Sequence, residues 1–386
     1  MALPVNRLQR VAGFELNALR ASEVFGEELE KVSIPARGTP IHDLNGTVLF
    51  HRLPLTRGRV QAGYADVAIE ELFGEPLLAT AMDAPWDEKA LLEAGTVAAN
   101  KVRRGIKYNA TRFVAYSYPK IALQFLQDGV EALMLELHTW AVVPPAQKAD
   151  RKPFEPSNFE RWSLLEETPA ATRLARASAY NKRLRLWEAP ALTTINPRLI
   201  QRDLLRIADF VIKLIDTREI HYSERDTDHV PCYELRGQQT NVWCVGASVE
   251  MILNFYRYNY TQVRLATELG LGTLQNPNGL PYARVGDVVT VIERLTNLDC
   301  TMHTNPSWTT FRSEIRANRP LISFVPGHSR TVVGYTRSMI ALPGNVAFRG
   351  LLVYDPWPPN AGVITRWENF NTQTYQYAYS SVITQV

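Results

Sequence analysis

Apolar residues recur with helical and with strand-like spacing in the first 143 residues of this chain. Leu8, Val11, Ala12, Leu16 and Leu19 have helical spacing and predict one or two amphipathic helices within residues 1–30. The other elements predicted here are a hairpin at Asn45 and Gly46, helices over residues 67–73, 87–102 and 119–127, and strands over residues 112–118 and 130–143. This mixture predicts an N-terminal α+β domain of residues 1–143, to which we assign no role.

The clearest interruption of the pattern is residues 144–156, which are rich in Pro and charged residues and poor in apolar ones. Such a composition predicts an exposed linker. Residues 157–229 are then predicted to be a helical connector, with a second helix over residues 197–215. We expect this connector either to brace the fold or to lie over a cleft as a propeptide does.

Residues 237–258 carry the strongest local signal, GQQTNVWCVGASVEMILNFYRY. A turn-prone polar run leads to Cys244, and the residues that follow are apolar on nearly every side of a helix. A helix that is apolar all round is buried. The pattern therefore places Cys244 in the first turn of a core helix, beside a loop that can leave it exposed.

The rest of the C-terminal region separates into helices and then strands. The predicted helices cover residues 261–269, 286–295 and 307–318, and the predicted strands cover residues 321–325, 328–336, 350–354, 363–367 and 375–383. Helices followed by an antiparallel sheet predict a two-lobed domain of residues 230–386, with a cleft between the lobes.

Cys244 has the position that a reactive thiol requires. A helix N-terminus stabilises a thiolate, and the N–H groups of the first turn can hold an oxyanion. Gln238 precedes Cys244 by six residues and can reach across the loop to supply a second oxyanion donor. From this segment alone, a small buried cysteine without chemistry is an equally good interpretation.

Two later residues favour the chemical interpretation. His328 follows a Pro-Gly turn at the start of a predicted strand, and Asp355 ends the next strand because Pro356 forbids further pairing. A cysteine nucleophile needs a base within hydrogen-bonding reach, and the base needs an acceptor that orients it. Trp357 is expected to be a core residue that can also shield the His–Asp hydrogen bond from water.

Three segments, GQQTNVWCVGASVEM, GHSRTVVGY and LLVYDPWPP, together resemble the papain-like cysteine peptidases of bacteria, in particular bacteriocin-leader-peptidase-like domains and avirulence-effector proteases. The resemblance covers the chain from about residue 230 to its end, and it implies the papain-like two-lobed α+β fold. It also implies that Cys244 is the nucleophile and that His328 is the general base and acid. Asp355 would then orient His328, and Gln238 would be the oxyanion-hole residue.

Two features of these segments qualify the resemblance. Val245 stands directly after the cysteine, where these groups often carry an aromatic residue, so the subgroup stays open. Gln239 lies next to Gln238 and competes with it for the oxyanion role. The third member of the triad is Asp355, where papain itself has Asn, so the chain resembles the bacterial branch.

Composition excludes several classes of function. The formal net charge of +3 is too small to indicate nucleic acid as the main partner. No run of about 18 apolar residues predicts a membrane span, and the N-terminus has no signal-peptide pattern. We therefore expect a cytoplasmic protein, and signal-independent export as a toxin or effector stays an alternative. The sequence predicts no oligomeric state.

The cysteine count points to reduced thiols. Cys232, Cys244 and Cys300 are an odd and small set, which is typical of a reducing compartment, although a bridge between Cys232 and Cys300 stays a less favoured alternative. We find no spacing of metal ligands and no glycine loop for a nucleotide. The sequence therefore predicts neither a metal site nor a cofactor.

These observations predict a cysteine peptidase that hydrolyses a protein or peptide through a Cys-His-Asp triad and a thioester intermediate. An acyl transferase, transglutaminase-like or peptide-cyclising enzyme would use the same triad. A non-catalytic binding module is the third alternative, and the complete set of site residues argues against it. Because all four site residues follow residue 230, residues 1 to about 220 are expected to regulate or address the enzyme and not to join its chemistry.

Overall fold

The computed structural model describes residues 3, 7–25, 27–143, 161–201, 204–205, 210–223, 233–342 and 346–384. Over these residues the chain forms two β-sheets of seven strands each, with helices packed beside them. Pairing within both sheets is mainly antiparallel, which confirms the predicted α+β class. The predicted linker at residues 144–156 lies outside the described residues.

The N-terminal sheet follows helix α1 (Leu8–Ala21). Its strands are β1 (Thr39–His42), β2 (Val48–Arg57), β3 (Val60–Ala68), β4 (Leu77–Met82), β5 (Ala110–Ser117), β6 (Lys120–Gln127) and β7 (Val130–Glu136), with helix α2 (Glu88–Val102) between β4 and β5. The strands lie in the order β4-β3-β2-β1-β5-β6-β7. Asn45 and Gly46 form the predicted turn between β1 and β2, and the side chain of Asp87 caps α2 by accepting from the N–H of Ala90.

The predicted connector is helical only in its first part. It contains α3 (Leu164–Glu167) and α4 (Ala170–Trp187), and its described residues then end in strand β8 (Val211–Glu219). The helix predicted over residues 197–215 is wrong for every described residue of that range, because Leu199 forms a β-bridge to Ser33 and the residues from Val211 form strand β8. Strand β8 pairs along β11 (His328–Leu342). Its apolar residues have the spacing of a helix, but several of them are Val and Ile, which favour a strand.

The C-terminal region has the predicted order of helices and then strands. Its elements are α5 (Cys244–Phe255), α6 (Gln262–Leu269), α7 (Asp287–Leu295), β9 (Leu298–Thr304), α8 (Trp308–Arg316), β10 (Leu321–Val325), β11, β12 (Val346–Asp355), β13 (Val363–Asn369) and β14 (Tyr377–Ile383). The strands lie in the order β13-β12-β11-β10-β14-β9, and β8 adds to β11. Strand β9 was not predicted.

Two helices predicted in the N-terminal region are wrong. Residues 67–73 contain the end of β3 and a short 3-10 turn, and residues 120–127 form β6 between β5 and β7. Nearly every residue of β6 is buried, because the strand is paired on both edges by β5 and β7 and both of its faces are covered. A run that is apolar on both faces lacks the alternation that marks a half-exposed strand, and its pattern therefore predicts a helix as readily as a strand.

The two sheets contact each other directly. Strand β4 packs against β13, and Asn369 on β13 donates from Nδ2 to the carbonyl oxygen of Leu77 at 3.2 Å. Trp367, only 1% exposed, donates from Nε1 to the carbonyl oxygen of Val24 at 2.8 Å. The N-terminal region therefore covers part of the sheet that carries His328 and Asp355.

Candidate active site

Cys244 is the first residue of helix α5, as predicted. Most of the residues that follow it in the helix are buried, as the apolar run predicts for a core helix. Cys244 itself is half-buried. Trp243 immediately before it is fully buried, and its Nε1 donates to the carbonyl oxygen of Leu271 at 2.8 Å. This anchor fixes the start of the helix and thereby the direction of the thiol.

His328 is the first residue of β11 and follows a tight turn from β10. Val325 and His328 face each other in the pairing of the two strands, so Pro326 and Gly327 form the connection. Gly327 has a φ of 67°, a left-handed conformation that glycine adopts without strain. Its N–H group donates to the hydroxyl oxygen of Tyr282 at 2.8 Å. The side chain of Tyr282 therefore fixes the turn before His328 through a hydrogen bond to the turn's backbone.

Asp355 ends β12 beside His328. Nε2 of His328 lies 2.7 Å from Oδ1 of Asp355, and the backbone N–H of Trp357 donates to the same oxygen at 2.8 Å. Because Nε2 is taken by Asp355, Nδ1 is the imidazole atom left to exchange a proton with the Cys244 thiol, which lines the same cavity. The structure thus brings Cys244 and His328 to one cavity, with His328 hydrogen-bonded to Asp355 behind it.

The protonation of the pair follows from these contacts. Burial raises the pKa of Cys244, but the hydrogen bond and charge of His328, the charge of Lys120 and the N–H group of Ser329 outweigh it and leave the pKa below its ordinary value. Burial lowers the pKa of His328, and the charge and hydrogen bond of Asp355 outweigh it and raise the pKa. The two shifts favour a thiolate–imidazolium pair.

Gln238 is buried in the loop before the helix and lines the same cavity as Cys244. Its Nε2 donates one N–H to the carbonyl oxygen of Thr240 at 2.6 Å, and its Oε1 is buried without a hydrogen-bond partner among the described residues. An amide nitrogen carries two N–H groups, so the second one is available for an oxyanion. Gln239, the competing residue, is exposed and does not line the cavity.

The loop of Gln238 is tied to the loop after Asp355. The N–H group of Gln238 donates to the carbonyl oxygen of Pro356 at 2.9 Å, and its carbonyl oxygen accepts from the N–H of Asn360 at 2.8 Å. Gln262 on α6 supports the other side, because its side chain bonds the backbone of Gly237 and Gln239. The positions of Gln238 and Asp355 therefore depend on each other.

Polar and apolar residues line the rest of the cavity at Cys244 in similar measure. Trp357 is 5% exposed and forms part of its wall, close to the Asp355 carboxylate.

Sequence reasoning missed three residues of the site. They are Tyr282, which holds the turn before His328, Ser329, whose N–H faces the thiol, and Lys120 from strand β6. Lys120 therefore brings a residue of the N-terminal region to the cavity, and the expectation that this region does not join the chemistry stays a prediction.

The described residues contain no group of three or more His, Cys, Asp and Glu side chains that could hold a metal ion. Among the same residues, no helix combines the length and hydrophobicity that crossing a membrane requires. Cys300 is buried as a free thiol, which contradicts the less favoured alternative of a bridge from Cys300 to Cys232, and Cys232 itself lies outside the described residues.

Comparison with known proteins finds a family match for the part of the chain that contains this site. Residues 228–383 match the model of the Peptidase_C39-like family. Among solved structures, a double glycine motif protease from an AMS/PCAT transporter, in complex with its leader peptide, is 13% identical with a TM-score of 0.26, over 42% of this chain and 97% of that chain. UfSP from C. elegans is 10% identical with a TM-score of 0.26, over 46% of this chain and 38% of that chain. Curated proteins give no match.

Proposed function

We propose that residues 228–383, which match the model of the Peptidase_C39-like family, form a papain-like cysteine peptidase domain that hydrolyses peptide bonds with Cys244 as its nucleophile. The observation that carries the proposal is that Cys244 and His328 line one cavity, with His328 hydrogen-bonded to the buried Asp355 carboxylate. A nucleophile, a base and an acceptor that orients the base are what acyl transfer to sulfur requires.

In the first half of the reaction, Nδ1 of His328 takes the thiol proton, and the thiolate of Cys244 attacks the peptide carbonyl carbon. The second N–H of the Gln238 amide and the backbone N–H of Cys244 donate to the oxyanion that forms. The Cys244 N–H belongs to the first turn of α5, which has no partner within the helix. Each such donor contributes about 3–4 kcal/mol to the stability of a transition state of this kind.

The intermediate then collapses. The C–N bond breaks as the imidazolium of His328 gives its proton to the leaving amine, and the acyl group stays on Cys244 as a thioester. Water attacks the thioester while His328 takes one of its protons, and the carboxylic acid leaves with the thiol restored. Asp355 keeps its negative charge throughout and holds the imidazole ring in one orientation, and Trp357 keeps water away from that hydrogen bond.

The test is the variant Cys244→Ala, measured on a library of peptides with the products identified by mass spectrometry. We expect no turnover and an unchanged melting temperature, whereas the matched variant Cys300→Ala should keep its activity because Cys300 lies on β9, outside the cavity. Substantial turnover by the Cys244 variant would show that another group is the nucleophile.

The same products distinguish hydrolysis from the alternative acyl transfer. New carboxyl ends that take up oxygen from labelled water identify a peptidase. Isopeptide-linked or cyclised products without that label would identify a transferase that uses Cys244, His328 and Asp355 in the same roles.

A further inference from the structure

The turn before His328 is held by three side chains, and two of them come from the N-terminal sheet. The hydroxyl of Ser117 donates to the carbonyl oxygen of Pro326 at 3.1 Å, and Nζ of Lys120 donates to the carbonyl oxygen of Gly327 at 2.9 Å. Tyr282 accepts the N–H of Gly327 from the other side. Ser117 and Lys120 flank the turn between β5 and β6, so one hairpin contacts both carbonyl groups.

Lys120 is unusual in its burial as well as in its place. The residue is only 6% exposed, and it lines the cavity that contains the Cys244 thiol. A buried ammonium group is costly unless hydrogen bonds and opposite charge compensate it. Here the Gly327 carbonyl accepts from it, the ring of Tyr116 lies 5.5 Å away, and Glu136 on the neighbouring strand β7 supplies a carboxylate.

We propose that Lys120 is a positioning residue of the active site, which fixes the turn that presents His328 and places a positive charge beside the Cys244 thiolate. The N-terminal sheet is thereby part of the active site. The inference rests on the proposed function only in taking Cys244 as the nucleophile.

The two actions have different consequences. Holding the Gly327 carbonyl acts on the position of His328, and the loss of this contact would lower the catalytic rate without changing the charge around the thiol. The positive charge acts on the thiolate through space, and its loss would require a higher pH to form the thiolate. Ser117 holds the same turn through the carbonyl group of Pro326 but carries no charge, so a variant of Ser117 separates the effect on the turn from the effect of the charge.

Besides Lys120, the described residues place few charged groups near the Cys244 thiol. His328 faces the thiol directly, with Asp355 behind it, and Glu136 acts on Lys120 from β7. Burial raises the pKa of Glu136, and desolvation lowers the pKa of His138 to about 4, so His138 is neutral above about pH 5. The experiment therefore compares variants over one pH range and changes only one group at a time.

The test follows the rate at which iodoacetamide alkylates Cys244 in the full chain between about pH 4 and 9, with peptide cleavage measured in parallel. We expect Lys120→Met to move the acid limb of the alkylation profile upward by about half to one pH unit, because the thiolate loses a nearby cation. On that limb, alkylation at a fixed pH should slow by about three- to tenfold. Lys120→Arg keeps the charge and should retain most of the wild-type profile.

Two controls separate charge from structure. Ser117→Ala should lower turnover and leave the alkylation profile in place, and Lys107→Met, which removes an exposed positive charge of the same sheet region, should change neither. Melting temperatures show whether each variant folds, and Lys120→Gln replaces Lys120→Met if the latter does not. A neutral variant that folds and keeps the wild-type acid limb, whether or not it turns over substrate, overturns the proposal. Because alkylation needs no turnover, this result is independent of whether Cys244→Ala abolishes cleavage.

Discussion

The imidazole of His328 and the carboxylate of Asp355 are buried together, with side chains 1% and 6% exposed and Nε2 and Oδ1 2.7 Å apart. The backbone N–H of Trp357 donates to the same carboxylate oxygen, so the acceptor is itself fixed. An acceptor that is fixed and shielded in this way holds the ring with its other nitrogen towards Cys244. A change at Asp355 should therefore lower activity according to how well the new side chain still accepts the imidazole N–H.

Asp355→Asn is expected to cost less activity than Asp355→Ala, and both less than His328→Ala. An Asn side-chain oxygen still accepts from the imidazole N–H, whereas Ala leaves the ring free to turn, and removal of His328 loses general acid–base catalysis worth about 10²- to 10⁴-fold. The measurement is kcat/KM on one peptide. Wild-type rates for Asp355→Ala would remove Asp355 from the site.

The pH profile of Asp355→Asn gives a separate prediction. The carboxylate raises the pKa of His328 because it stabilises the imidazolium. Without that charge the imidazolium loses its proton at a lower pH, so the alkaline limb of kcat/KM should move to lower pH while the profile stays bell-shaped. An unchanged alkaline limb would mean that this limb does not report the deprotonation of His328.

The two described cysteines should react with iodoacetamide at very different rates near neutral pH. Contacts with His328 lower the pKa of Cys244, whereas burial raises the pKa of Cys300 to about 11, and the thiolate is the reactive form. Peptide mapping after a short pulse should find the label on Cys244 well before Cys300, with Cys232 mapped alongside. Equal rates would contradict the ion pair.

Gln238→Ala should lower kcat by about 10²- to 10³-fold with little change in KM, because the lost donor acts only on the oxyanion. Gln239→Ala is the matched control, since its side chain is exposed and lies outside the cavity. We expect that control to retain wild-type kinetics. The opposite result, an inactive Gln239 variant and an active Gln238 variant, would transfer the oxyanion role to Gln239.

Sequence reasoning located the helix of Cys244 and the strands of His328 and Asp355 because turn residues separate them. Residues 321–325 lie between Pro320 and Pro326, and the predicted strand has the bounds of β10. Local signals of this kind need no knowledge of distant contacts. The same is true of Ser307, which caps α8 with a reciprocal hydrogen bond to Thr310.

Lys120 could not be predicted in the same way. Its contact with Gly327 joins residues 207 positions apart, and it depends on how the N-terminal sheet packs against the turn before His328. The residue also begins a strand that was predicted as a helix, because the buried run of β6 lacks alternation. Information about the site that comes from packing between sheets is not contained in any local pattern.

A buried ion pair near the site should matter for stability. The side chains of Arg330 on β11 and Glu368 on β13 are 1% and 3% exposed and make two hydrogen bonds with each other. Arg330→Met would leave a buried carboxylate uncompensated, so the free energy of unfolding should fall by about 3–5 kcal/mol. The exposed pair of Arg236 and Glu234 is the control, and Arg236→Ala should change it by less than about 1 kcal/mol. Urea unfolding measures both, and equal effects would contradict the argument from burial.

The last prediction is that a chain shortened to begin at His221 loses its activity. Such a chain lacks Lys120 and Ser117, which hold the turn before His328, and it lacks strand β8, whose Asp216 accepts hydrogen bonds from Arg312 and Tyr335. It also uncovers Trp367, which is buried under residues of the N-terminal region. A second shortened chain that begins at Phe210 keeps β8 and separates the two losses. We expect both to turn over a peptide far more slowly than the full chain, and the shorter one to melt at a lower temperature. A chain beginning at His221 that is monomeric, melts like the full protein and cleaves the peptide at the full rate would show that the C-terminal domain completes its active site alone.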